Sequence, residues 1–80
     1  MIIYGTDLCK DCVACKQDLD NACVTYEYRN ISNDLMHMKE FLRLRDQEPV
    51  FAEVKADNRI GIPAIIADDG TITLTWEAFI

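Results

Sequence analysis

Cys9, Cys12 and Cys15, in the run Cys9-Lys10-Asp11-Cys12-Val13-Ala14-Cys15, are the residues of this chain best suited to chemistry. Thiols at this spacing can attack a disulfide, close one, or ligate a metal. Their surroundings favour the first two. The preceding run, Met1-Ile2-Ile3-Tyr4, is apolar without alternation and predicts a strand buried on both faces. Gly5, Thr6 and Asp7 then break it. From Cys12 the spacing turns helical, with Cys12, Cys15, Leu19 and Ala22 on one face and Lys16, Asp18 and Asp20 turned away. Cys9 therefore belongs at a helix N-terminus, where unpaired N–H groups and the helix dipole favour negative charge. A thiolate is the form that attacks a disulfide, so the run reads as a redox centre.

Length and composition set the frame for that centre. Eighty residues make one domain, spanning 1–80, and a 50% apolar composition is generous for its size. Fourteen acidic against eight basic residues, spread evenly over both halves, give a net charge of −6. That balance argues against nucleic acid or an anionic membrane as partner. The chain opens into a strand with neither a basic segment nor a long apolar stretch before it, so a cytoplasmic protein is expected. In a reducing compartment four cysteines do not form a structural disulfide framework. Redox catalysis, metal binding and plain burial remain as explanations.

The elements that must hold the cysteines follow in order. The helix from about Cys12 to Ala22 leads into a half-exposed strand over Cys23 to Asn30, where Val24, Tyr26 and Tyr28 alternate with polar residues. Strand, helix and strand make a βαβ unit with parallel strands. Ser32 or Asn33 can cap a second helix with Leu35, Met38, Phe41 and Leu42 on one side, ending near Asp46. Pro49 suits the first turn of a short helix to Ala56, and 58–62 is a connector. Pro63 opens a second apolar run, Ala64 to Ala67. Asp68-Asp69-Gly70 turns the chain into an alternating strand, Thr71 to Leu74, with Gly70 left-handed. Thr75 can cap a last turn, Trp76 to Ile80. Two apolar and two alternating strands predict an α/β fold with a four-stranded mixed sheet of order 2-1-3-4 and helices on both faces.

Taken together, Ile2-Ile3-Tyr4, Cys9-Lys10-Asp11-Cys12 opening a helix to Lys16, Gly61-Ile62-Pro63 before a strand, and the Asp69-Gly70 hairpin resemble the glutaredoxins of the thioredoxin-like superfamily. The tract from Phe41 to Asp46 through Lys55 to Pro63 is similar to the small glutaredoxin-related proteins of anaerobic bacteria. The resemblance implies a thiol-disulfide oxidoreductase with Cys9 as nucleophile, Cys12 as resolving cysteine and Pro63 a cis proline facing the pair. It implies no bound cofactor, with glutathione as co-substrate. The partners would be a disulfide-containing protein or glutathione mixed disulfide, and glutathione or a thioredoxin-reductase-type flavoenzyme as electron donor to a monomer. Lys10, Asp11, Ile62 and Pro63 would meet the substrate. The chain departs from the family where glutathione is held, with Thr6 for a lysine, Lys10-Asp11 for Pro-Tyr, and Leu74-Thr75-Trp76-Glu77 for Gly-Gly and an acid. Only the backbone of Ile62 carries over intact as a substrate contact.

Other readings stay open. The run matches the start of a ferredoxin-type iron–sulfur motif, but Leu19 and Asp20 stand where its fourth cysteine and proline belong. A zinc site would need Cys23 or His37 brought close by folding. The fold could also serve as a binding module without turnover. Cys15 suits the core, as a small hydrophobe on the apolar face, and Cys23 suits a structural place at the start of a strand. Trp76, with Tyr4, Phe41 and Phe51, reads as core. Between the cysteine pairs the geometry favours Cys9–Cys12 over Cys12–Cys15. Side chains three apart inside a helix have Cβ atoms roughly 5–6 Å apart, whereas a disulfide needs about 3.5–4.5 Å.

Overall fold

Alternating side chains on the first strand send Ile3 to one face of a sheet and Tyr4 to the other, and the molecule is built outward from both. The computed structural model describes residues 1–80. Strand β1 (Ile2–Gly5) pairs in parallel with β2 (Glu27–Asn30) and antiparallel with β3 (Ala64–Ile66). Strand β4 (Ile72–Thr73) pairs antiparallel with β3, so the order is β2-β1-β3-β4, as the two apolar runs predict. Gly70 takes a positive φ in the hairpin between β3 and β4.

Helix α1 (Lys10–Asn21) brings Cys15 and Leu19 onto Ile3 and Ile65. The closing 3₁₀ turn, Trp76–Phe79, packs against the same cluster. On the opposite face, α2 (Leu35–Gln47), the 3₁₀ turn Pro49–Phe51 and α3 (Ala52–Ala56) bring Phe41, Phe51 and Val54 onto Tyr4, Ile31 and Ala64. Phe41 and Phe51 meet edge to face at 5.9 Å between centroids. Burying side chains of this size stabilises by about 1.5–3 kcal/mol each. Helices thus cover both faces. No helix is long and apolar enough to cross a membrane.

Four local expectations are corrected. Ala22 is exposed and Cys23 is not the start of a strand: it takes a left-handed conformation (φ 57°) just past α1 and is exposed. There the Val24 N–H donates to Leu19 O and the Cys23 N–H to Asp20 O, closing the helix end with residues that would otherwise lengthen β2. The cap of α2 is Asp34, whose carboxylate accepts from Met36 N–H and His37 N–H. Ser32 is spent on Asn30 and Thr6. Leu35 and Leu42 are exposed, because the buried stripe is centred on Phe41 with Met38 and Leu44 beside it. Leu42 lies about 100° around the helix from Phe41. Finally, Thr75 stands at the start of the last turn but makes no side-chain capping bond.

Candidate functional site

The cysteine run sits where β1 gives way to α1. Gly5 ends β1, and the chain then turns through residues 6–8, with the Cys9 N–H donating to Thr6 O at 3.1 Å. Thr6 Oγ1 accepts from Leu8 N–H and meets Ser32 Oγ at 2.8 Å, which ties the turn to the end of β2. Cys9 keeps extended backbone angles, and Lys10 is the first residue of α1. The helix therefore starts earlier than the apolar spacing alone suggests. Its N-cap is a thiol: Cys9 Sγ accepts the Cys12 N–H at 3.3 Å. Serine and aspartate commonly fill that role, and a sulfur there occupies the position where helix N–H groups favour negative charge.

The cysteines differ in what surrounds them. Cys9 is partly exposed, Cys12 and Cys15 are fully buried, Cys23 is exposed, and all four are free thiols. Burial, reinforced by the Cys9 side chain against the Cys12 thiol and partly offset by the Thr6 backbone, pushes that thiol up to about 12. Burial, with Asp18 and Glu77 nearby, pushes Cys15 up to about 11. Around the turn, Asp7 is paired with Lys16 at 2.9 Å. The same ammonium lies 4.1 Å from the centre of the Tyr28 ring.

Cys9 opens onto a cavity of about 750 Å³, whose wall includes Thr6, Asp11, Ile62, Pro63, Glu53 and Trp76. The loop carrying Ile62 is built with care. Gly61 has φ +96°, and a Cβ on it would come 2.9 Å from the Phe51 ring and 3.1 Å from Val54, so glycine is required both by conformation and by space. Arg45 reaches across from α2 and donates to Arg59 O at 2.7 Å and Ile60 O at 2.8 Å. The Ile62-Pro63 bond is cis. Neither the N–H nor the C=O of Ile62 takes part in any hydrogen bond of the structure, leaving both beside the cavity.

Of the residues expected from sequence, Cys9, Asp11, Ile62 and Pro63 meet at this cavity, while Cys12 is fully buried and Lys10 is exposed on the first turn of α1, neither of them in its wall. Cys15 is in the core, and Cys23 lies beyond the far end of α1. No three His, Cys, Asp or Glu side chains gather where they could hold a metal ion. Trp76, expected as core, is half-buried: it packs on the Ile3 cluster and also walls the cavity, its indole donating to Asp18 at 2.8 Å. Glu53 and Arg59 also line it and were not foreseen. Neither sits in a motif, and folding alone brings them to this cavity.

No protein-family model matches the chain, and no solved structure matches it. An uncharacterized protein of Haemophilus influenzae is similar to it, 33% identical over 73 residues that cover 91% of this chain and 85% of that protein.

Proposed function

We propose that this chain, which belongs to the same family as the uncharacterized Haemophilus influenzae protein, is a thiol-disulfide oxidoreductase with a thioredoxin-like fold of glutaredoxin type. The observation that carries the reading is the asymmetry of the pair: one thiol at a helix N-terminus and open to a cavity, the next one buried a turn behind it. Cys9, as thiolate, attacks a substrate disulfide and forms a mixed disulfide, releasing the first substrate thiol. Cys12 then attacks Cys9 Sγ, closes the Cys9–Cys12 disulfide and releases the second. Two electrons pass from the cysteine pair to the substrate.

The unpaired main chain of Ile62 supports an extended substrate across the cavity, held by backbone hydrogen bonds as an added strand would be. Asp11 and Pro63 would border it, and Lys10 would meet only the part of a substrate that extends beyond the cavity. The substrate is a disulfide-containing protein or a glutathione mixed disulfide in a reducing cytoplasm, and the oxidised pair is recharged by glutathione or by a thioredoxin-reductase-type flavoenzyme.

The experiment that tests this is a coupled reduction assay with an unstructured protein disulfide as substrate, run once with each reductant. Turnover with either supports the proposal, and the one that works names the electron donor. No turnover with either, from protein whose thiols are reduced, would overturn it.

A further inference from the structure

Tyr28, on β2, is half-buried, yet its hydroxyl oxygen is closed off from solvent and has no hydrogen-bond partner. A buried, unpaired hydroxyl is destabilising, and a phenylalanine would fill the space without that cost. The oxygen lies beside Cys12. A Cβ added to Gly5 would stand 2.9 Å from Tyr28 Oη and equally 2.9 Å from Cys12 Sγ, so the two are separated by no more than twice that distance. Glycine at the end of β1 leaves the space in which they approach. On the ring face, Lys16, anchored by Asp7, places its ammonium 4.1 Å from the centroid. The attraction between that cation and the ring face holds the ring in this position. Burial, then the neighbouring Cys12, hold Tyr28 above its ordinary value, so it remains a phenol with a proton to share.

We infer that the Tyr28 hydroxyl is the hydrogen-bond donor that stabilises negative charge on Cys12 Sγ during thiol–disulfide exchange. The inference rests on the redox reading of Cys9 and Cys12. With Cys9 held in a mixed disulfide, Cys12 must give up its proton and attack as thiolate. The Cys9–substrate S–S bond breaks, the Cys9–Cys12 bond forms, and the departing substrate thiolate takes a proton in turn. When a donor thiol later attacks Cys9, the same Cys12 sulfur leaves as thiolate. In both directions charge appears on a sulfur that is buried and whose thiol is otherwise held protonated. The groups facing that sulfur are the Thr6 backbone, Cys9 and Cys15 on its own segment, and Tyr28 from β2, with Asp7 and Lys16 beside Tyr28. Among their side chains Tyr28 alone offers an O–H donor with no partner.

The test reacts reduced protein with one equivalent of dithiobis-nitrobenzoate, in a Cys23→Ser background because Cys23 is exposed. Capture of Cys9 releases one coloured thiolate, and attack by Cys12 releases the second. Tyr28→Phe keeps the ring and should leave the first phase in place and the thermal midpoint no lower, while slowing the second phase about three- to tenfold. That range is the effect of a hydrogen bond to a charged group, reduced because a more basic thiolate is also a better nucleophile. Equal second phases in the two proteins, or both phases slowed alike, would overturn the role of Tyr28. A Tyr28-containing protein that never releases a second thiolate would instead overturn the redox reading itself.

Discussion

The backbone N–H of Cys12 donates to the Sγ of Cys9 at 3.3 Å, so the first thiol of the run caps the helix that buries the second. One sulfur is partly exposed beside a cavity and the other is sealed from solvent. In a thiol-disulfide exchange this divides the labour, because only Cys9 can be reached by an incoming disulfide and only Cys12 is close enough behind it to resolve the adduct.

Cys9→Ser is therefore expected to reduce disulfide turnover to background. Cys12→Ser should keep the first step and accumulate a mixed disulfide on Cys9. Intact-mass measurement after exposure to a small disulfide, in a Cys23→Ser background because Cys23 is exposed, distinguishes the two. Comparable residual turnover in both variants would contradict the assignment.

Gly5→Ala tests how tightly this corner is packed. The added Cβ would lie 2.9 Å from both Cys12 Sγ and Tyr28 Oη and 3.3 Å from Cys12 Cβ. Two of these contacts are too close for carbon, and the end of β1 has no room to retreat while it pairs with Asn30. A loss of about 1–3 kcal/mol is expected, as for overpacking elsewhere, read from urea denaturation. An unchanged midpoint would mean that Cys12 and Tyr28 can separate freely.

Some of this was legible from sequence and some was not. The strand–thiol–helix order around Cys9, and the apolar run behind Pro63, depend on residues a few positions apart, so local spacing reveals them. Tyr28 shows only an alternating pattern, which gives its face and nothing of what its hydroxyl meets. That depends on β1 and β2 pairing in register, Ile3 opposite Tyr28. The place of Trp76 is hidden for a similar reason, since an aromatic can pack on a core with one edge and wall a cavity with the other. Alternation begins near Cys23 and suggests a strand there, whereas the unpaired carbonyls at the end of α1 claim that segment first.

Stability should fall in alkali. The ordinary value for a cysteine thiol is 9.0, and the folded chain holds Cys15 near 11 and Cys12 near 12. Above about pH 9 the unfolded chain releases protons that the folded one retains. The contribution of these two thiols is complete below that pH and is lost as pH rises toward their folded values, by up to about 1.4 kcal/mol per pH unit for each. Urea denaturation at about pH 8 and pH 10, in the presence of reductant, should show the fall. Cys15→Ala should be less stable at the lower pH and lose less between the two. A slope unchanged by that substitution would argue that Cys15 ionises freely when folded.

Arg45 is expected to act on substrate binding from outside the cavity. Its two bonds to the carbonyls of Arg59 and Ile60 hold the connector that presents Ile62. Arg45→Met should cost about 1–2 kcal/mol and raise KM several-fold, with kcat changed less. Amide hydrogen exchange should accelerate over residues 59–62. A fall in kcat at constant KM would place its effect elsewhere.

The central claim is that Cys9 and Cys12 exchange electrons with a disulfide. It is tested most directly by treating the reduced protein with a small disulfide substrate and mapping the unreduced peptides by mass spectrometry. In a Cys23→Ser background, since Cys23 is exposed, the account predicts the loss of two hydrogens, a single Cys9–Cys12 link, and Cys15 still a free thiol in its buried place. A dominant Cys12–Cys15 link, or a protein left fully reduced by excess disulfide, would contradict it.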